Sequence, residues 1–341
     1  MALAMSQADR AMGALVGVAI GDAMGMPSQT LPRAQIALHY GRISDFAAPF
    51  ADHPVSHGLA AAMVTDDTEQ TLILADMLIR HGGQVDDLVW ANALMAWERD
   101  VRARGLRDLL GPSTRRALDS LLAGESAAVT GRTGITNGAA MRIAPVGIAT
   151  PAANVAALVA SVAEVCRVTH NTREAIAAAA AVAMVISQGV DGADFDQALP
   201  WAIDAARIGA GIGVAVGRAD LASCILQALK VADQGDEAAL ARQIGTSVVS
   251  HESVAAAFGV VRLAGGDPWK AALIAANIGD DTDTIGAIAC GMAGACRGVQ
   301  AFPRDKVARV LDTNRLDLDP VVRGLLALRA ERACLTRQVL A

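Results

Sequence analysis

The chain has 341 residues, 53% of them hydrophobic and 19% charged, with a formal net charge of −6. That length allows a sizeable core in one large domain or two closely joined ones, and with no linker in view one domain over 1–341 is expected; a mildly acidic chain without Lys/Arg blocks is a poor nonspecific nucleic-acid binder. Aromatic residues make up only 3% and alanine-rich runs recur at helical spacing, so the expected class is all-α.

The first predicted helix covers about 6–24 and carries Gly13, Gly17, Gly21 and Gly25 along one side. Glycine costs about 1 kcal/mol per helical position relative to alanine, so the ladder implies close backbone packing. A second run of small residues, Gly286, Cys290, Gly294 and Gly298, lies in the helix expected at 283–298. These two smooth faces are expected to meet and to bring Asp22 beside Asp281 and Asp283. Pro27 and Pro32 end the first helix, and an irregular stretch is expected to about residue 64. It holds His53 and His57, an HxxxH spacing, yet Pro54 and Gly58 oppose the helix that would align both rings on zinc.

Further helices are expected over 68–79, closed by His81-Gly82-Gly83 as a C-cap, and over 85–102, 113–123 and 152–165. Between the last two, Gly134 to Gly138 reads as a turn leading into a short helix that Pro145 stops. Helices over 172–187, 195–206, 221–232, 237–244, 253–263 and 268–276 follow, with the glycine-rich 209–213 as a connector. Two more helices complete the chain. Trp90, Trp97, Trp201 and Trp269 all fit helix faces turned to the core.

Five cysteines without a paired framework read as reduced core residues of a cytoplasmic protein. No basic segment and uninterrupted apolar run open the chain, so no secretion signal is expected. The apolar run 175–187 is short for a bilayer and reads as a helix buried all round, with no membrane partner. Oligomeric state is not legible.

Two acidic clusters carry the chemistry: Thr65-Asp66-Asp67-Thr68 and Asp280-Asp281-Thr282-Asp283-Thr284. Each stands directly before an apolar helical run. Asp and Thr are also preferred N-caps at the positive end of the helix dipole, so either cluster alone would pass as capping. Two of matching design suggest a shared site. Their oxygen donors, without Cys or His, select Mg²⁺, Mn²⁺ or Ca²⁺ over zinc or copper. Four carboxylates from Asp66, Asp67, Asp281 and Asp283 cannot stay ionised together without cations. Two divalent ions, in hydrolytic sites about 3.5–4 Å apart, would balance them, with Thr65 and Thr284 filling remaining positions.

Gly21-Asp-Ala-Met-Gly25, the Thr65–Thr68 cluster, Asn137-Gly-Ala-Ala-Met-Arg142, Thr169-His170 and Asp281-Thr-Asp-Thr284 together resemble the ADP-ribosylglycohydrolase family, which includes the dinitrogenase-reductase-activating glycohydrolase. The resemblance runs from about residue 10 to 300, with the motifs in order. It implies a compact orthogonal bundle of helices with a binuclear Mg²⁺ (or Mn²⁺) cleft, and cleavage of the C1 glycosidic bond of an ADP-ribosyl ribose. It assigns Thr65, Asp66 and Asp67 to the metals from one side, and Asp281, Asp283 and Thr284 from the other. Asn137 and Gly138 fall in the substrate loop, where backbone N–H groups could hold a diphosphate, and His170 falls near the ribose or is a buried structural histidine. Asp22 reads as a buried hydrogen-bonding strut.

Two positions depart from the family pattern. Gln29 stands where a glutamate is common; an amide orients water but accepts no proton at neutral pH. The general-base role then falls to Asp67 or to a water activated by metal. Asp280 stands where glycine is common and reads as an N-cap. The rival readings are a nucleoside N-ribohydrolase, using the same ribose diol, and a non-catalytic ADP-ribose-binding protein. The group attached to the ribose is not legible in the sequence.

Overall fold

The computed structural model describes residues 5–105, 111–217 and 220–340. Along these, the helices are α1 (Gln7–Gly25), α2 (Arg33–Tyr40), α3 (Asp66–Arg80), α4 (Asp87–Ala103), α5 (Pro112–Leu122), α6 (Ala127–Thr130), α7 (Gly138–Met141), α8 (Ala144–Ala149) and α9 (Val155–Cys166). There follow α10 (Arg173–Val190), α11 (Phe195–Gly209), α12 (Leu221–Ala232), α13 (Glu237–Ile244), α14 (Ser250–Leu263), α15 (Pro268–Ala275), α16 (Thr282–Arg297), α17 (Arg304–Asn314) and α18 (Asp319–Leu340). Among the described residues there is no strand, only three isolated β-bridges, so the all-α expectation holds.

Most starts are dictated locally. Ser6, Asp86, Asn154, Thr172, Asp194, Asp220, Asp236 and Asp267 each cap their own helix by accepting a backbone N–H from its first turn. Two expectations need correction. The stretch after Pro32 is not irregular throughout: Pro32 sits at the N-cap of α2 with φ −59°, the angle its ring imposes, and a two-turn helix follows. Pro145 does not stop a helix but lies in the first turn of α8, where its missing N–H has no intrahelical partner to lose.

The centre of the molecule is α1 against α16, the most extensive helix pair. The two ladders meet antiparallel. A methyl built on Gly13 would overlap the Gly294 carbonyl, on Gly17 the Cys290 carbonyl, and on Gly21 the Gly286 carbonyl. On Gly25 it would overlap the backbone of Asp283. Backbone therefore touches backbone along the whole seam, and no larger residue fits. That register sets the acidic start of α16 beside the end of α1.

Helix α10 packs on α8, α9, α11 and α16, and nearly all of its residues are buried. It and the segment Gln7–Ser28 are long and apolar enough to cross a bilayer, but both lie enclosed by other helices of the chain. No cysteine is in a disulfide; four are buried, whereas Cys334 is exposed on α18. Trp201 is also exposed, at 45%, because its face of α11 looks outward.

Candidate active site

Helix α3 begins without a cap of its own, since the Thr65 side chain accepts nothing from the first turn. Asp22 of α1 does that work from across the seam. Fully buried, it accepts from the Thr65 N–H (3.0 Å) and hydroxyl (2.7 Å), and from the Thr68 N–H (3.1 Å) and hydroxyl (2.5 Å). The carboxylate thus fixes the start of α3 to α1 and leaves Asp66 and Asp67 free of capping duty. Helix α16 repeats the pattern: Asp281 occupies its N-cap position yet makes no capping bond. Unlike the eight self-capping residues above, Thr65 and Asp281 make no capping bond, so side-chain capping does not account for the clusters.

Asp280 is a correction: it is not the cap. Its φ is +56°, in the left-handed region that glycine favours and aspartate tolerates. Its backbone pairs with Leu31, and its carboxylate accepts from the Thr246 hydroxyl at 2.7 Å.

The clusters meet where the Thr284 hydroxyl stands 3.5 Å from Asp67 Oδ2. Asp67 Oδ1 and Asp283 Oδ1 are buried without any hydrogen-bond partner. Such atoms are rare in folded proteins because each forfeits its hydration. Burial, followed by the neighbouring carboxylates, drives the acids of Asp66, Asp67 and Asp283 well above the usual carboxylate range. Burial also raises Asp22 and Asp281 to about 6, against their hydrogen bonds, which pull the other way. Asp281 Oδ2 accepts from Asn137 Nδ2 at 2.5 Å, and that amide also donates to Ser253 Oγ at 2.9 Å. Among the described residues no three His, Cys, Asp or Glu side chains already close on one point. Asp66, Asp281, Asp283 and Thr284 instead stand around a cavity of about 230 Å³, with Asp67 buried beneath.

Gln29, Gln70, Thr136, Asn137 and Gly138 complete the walls that matter here. The Asn137 backbone N–H, expected to face a diphosphate, is already bonded to the Val248 carbonyl at 2.9 Å. Only its side chain serves the cavity. His170 does not line the cavity either. It is fully buried behind Gly138, its ring nitrogens meeting the hydroxyls of Thr136 (2.9 Å) and Thr169 (2.8 Å). His53 and His57 form no paired metal site: His53 Nδ1 accepts the N–H groups of Val55 and Ser56, and His57 Nδ1 turns to the His53 carbonyl.

The amide at position 29 has a structural cause. Ser56 Oγ lies 2.9 Å from the Met26 carbonyl, which can only accept, so the hydroxyl proton is committed there. Ser56 therefore offers position 29 a lone pair, and Gln29 Nε2 donates to it at 2.7 Å. A glutamate would set a carboxylate oxygen against that lone pair. Gln29→Glu is thus expected to lower, not raise, turnover, by about tenfold, a loss of the size seen when outer-shell partners of a site are broken. Ser56→Ala should partly relieve it, and a Gln29→Glu enzyme faster than wild type would refute this account.

Sequence reasoning missed Ser56, Gln70 and Ser253. Gln70 was findable, lying four residues after Asp66 on the same helix face; Ser56 and Ser253 carry no local signal.

The ADP-ribosylglycohydrolase profile matches residues 4–334. The chain belongs to that family. It is 34% identical over 330 residues to the uncharacterized protein YegU of Escherichia coli (strain K12), spanning 95% of this chain and 98% of that one. Over 118 residues it is 38% identical to the ADP-ribosylarginine hydrolase Tri1 of Pseudomonas putida (strain GB-1), 33% of this chain and 28% of Tri1. Over 148 residues it is 31% identical to the ADP-ribosyl-(dinitrogen reductase) glycohydrolase of Rhodospirillum rubrum, 42% and 45% of the two chains. Among solved structures it matches an ADP-ribosylglycohydrolase-related protein complex at TM-score 0.68 and 26% identity, covering 96% of this chain and 99% of that one.

Proposed function

We propose that the protein is a metal-dependent glycohydrolase that cleaves the C1 glycosidic bond of an ADP-ribosyl group. The observation that carries it is the pair of orphaned oxygens, Asp67 Oδ1 and Asp283 Oδ1, buried among carboxylates that no capping role explains. Oxygen-only donors suit two Mg²⁺, or Mn²⁺, held by Thr65, Asp66 and Asp67 on one side and Asp281, Asp283 and Thr284 on the other. Such ions, when bound, act as Lewis acids on sugar oxygens and offset the charge of the carboxylates.

The chain's own residues supply the rest. Asp22 holds the start of α3 in place, and Asn137 fixes the Asp281 carboxylate, so that each acid is set before substrate arrives. Gln29 lines the cavity with its amide nitrogen bound to Ser56, which leaves its carbonyl oxygen to accept a hydrogen bond from water and so aim a lone pair at C1. Asp67, held protonated more readily than an ordinary carboxylate when no cation is near, is the base that takes the proton as water adds to an oxocarbenium-like centre.

A nucleoside N-ribohydrolase is the second reading, favoured by two observations. Among the described residues no Lys or Arg lines the cavity. Its volume of about 230 Å³ is also small beside the 300–1,000 Å³ usual for ligand pockets, so it takes a sugar and its nearest substituents. Turnover of ADP-ribosyl-arginine, ADP-ribosyl-serine peptides and common nucleosides, with magnesium and with chelator, separates the two. Magnesium-dependent release of ADP-ribose is expected. Ribose and free base from nucleosides alone would establish the second reading, and chelator-insensitive turnover would overturn both.

A further inference from the structure

A fully buried guanidinium lies beneath the cavity without a carboxylate in hydrogen-bond contact. Arg142 donates from Nη1 to Gln70 Oε1 at 2.6 Å and from Nη2 to Thr169 Oγ1 at 2.8 Å, and its Cζ sits 5.4 Å from the centre of the Trp90 ring. From Thr169 the contacts continue to His170 Nδ1 at 2.8 Å and from His170 Nε2 to Thr136 Oγ1 at 2.9 Å. Thr136 and Gln70 both face the cavity. One unbroken polar chain therefore joins two walls of the site through its floor.

The direction of that chain is decided by its first member. Arginine only donates, so Thr169 Oγ1 accepts from it and keeps its own proton to give. If Thr169 gives that proton to His170 Nδ1, both hydroxyls and both ring nitrogens are satisfied, and Nε2–H then donates to Thr136; the buried Arg142 Nε lacks a partner in either state and does not enter the choice. In the other tautomer Nδ1–H also donates to Thr169, whose hydroxyl proton is left buried with no acceptor, a cost of about 1–3 kcal/mol. The ring is neutral, since burial, and next the charge of Arg142, hold its acid well below the ordinary histidine range. Neutral imidazole carries one proton, so the choice is between these two states alone.

We propose that Thr136 is a substrate-binding residue whose hydroxyl, having accepted from His170, is held as a hydrogen-bond donor into the cavity, with Arg142, Thr169 and His170 as the residues that position it. Its partner is an acceptor oxygen of the occupant, a phosphoryl or ring oxygen rather than a sugar hydroxyl proton. Each bond in the chain polarises the next, so the buried guanidinium strengthens this donor without entering the site. With no Lys or Arg among the described lining residues, the guanidinium acts on a ligand through the lining groups it polarises, Gln70 directly and Thr136 through Thr169 and His170. For an ADP-ribosyl ligand this rests on the glycohydrolase reading above.

Two measurements test it. The first is the tautomer of His170 in ligand-free protein, read from long-range proton–nitrogen NMR correlations of histidine-labelled protein, with His170→Gln used to assign the ring. An Nε2–H tautomer is expected, and Nδ1–H would overturn the assigned direction. The second is ADP-ribose titration by calorimetry. Thr136→Val should weaken binding about tenfold, and Thr136→Ser should restore it to within about twofold, with all three proteins melting alike. Wild-type affinity in Thr136→Val would overturn the contact. If wild type itself binds no ADP-ribose, the ADP-ribosyl reading fails, while the histidine tautomer still decides the direction of the chain without any ligand.

Discussion

Asp283→Asn is expected to slow glycohydrolase turnover by about a thousandfold, or about 4 kcal/mol of barrier, while raising the melting temperature of the metal-free protein. The two effects have one cause. Asp283 is buried among Asp281, Asp22 and Asp66, with one oxygen unpartnered. Its charge therefore costs folding energy that a bound cation would offset, and an amide of the same shape removes the repulsion together with the ligand. Acidity sharpens the test. Asp22 and Asp281 titrate near 6 in the folded chain, against 3.8 for a free carboxyl. Their protons are held more tightly when the chain is folded, so this stabilisation is fully present below pH 3.8 and is lost as pH rises through about 6. Thermal melts of chelated protein should thus fall in temperature between about pH 4 and 6, and magnesium at the upper end should restore them. A flat profile, or an Asp283→Asn protein that melts lower than wild type, would show that the carboxylates are not in conflict.

Gly21→Ala is the largest expected loss of stability, at least about 3 kcal/mol, at the upper end of overpacking costs. The added methyl would collide with the Gly286 carbonyl, which is backbone and cannot rotate away. Gly291→Ala is the matched comparison on the facing helix. Its methyl would press only on the Val18 side chain, at 3.0 Å, with the Ala14 carbonyl at an ordinary 3.7 Å, and a loss of about 1 kcal/mol is expected there. Equal denaturant midpoints for the two variants would mean that the seam yields where the backbone contacts imply that it cannot.

The glycine ladders and the acidic clusters were legible because each is a pattern forced by one physical demand: small residues where backbones touch, carboxylates where charge is gathered. Helix positions were legible for the same reason, from alanine-rich periodicity and from caps. What was hidden depends on pairing across the chain. Nothing near Thr65 announces that Asp22 caps α3 from another helix. Nothing in Asn137-Gly138 says that the backbone N–H is taken by Val248. For His170 the sequence left two readings open, near the ribose or a buried structural histidine; the ring is buried behind Gly138, where the absent side chain lets it pack. The amide of Gln29 was legible only as a departure from the family pattern until Ser56, distant in the chain, showed which proton was already spoken for.

The seam between α1 and α16 also divides what evolution can alter from what it cannot. Main chain against main chain leaves no rotamer to adjust, so the spacing between Asp22 and Asp283 is inherited as a fixed dimension. A different ligand must then be accommodated elsewhere in the lining, at Thr30, Val55 and Val248, while the acids keep their spacing. A fold built this way diversifies by changing its doorway and keeping its foundations.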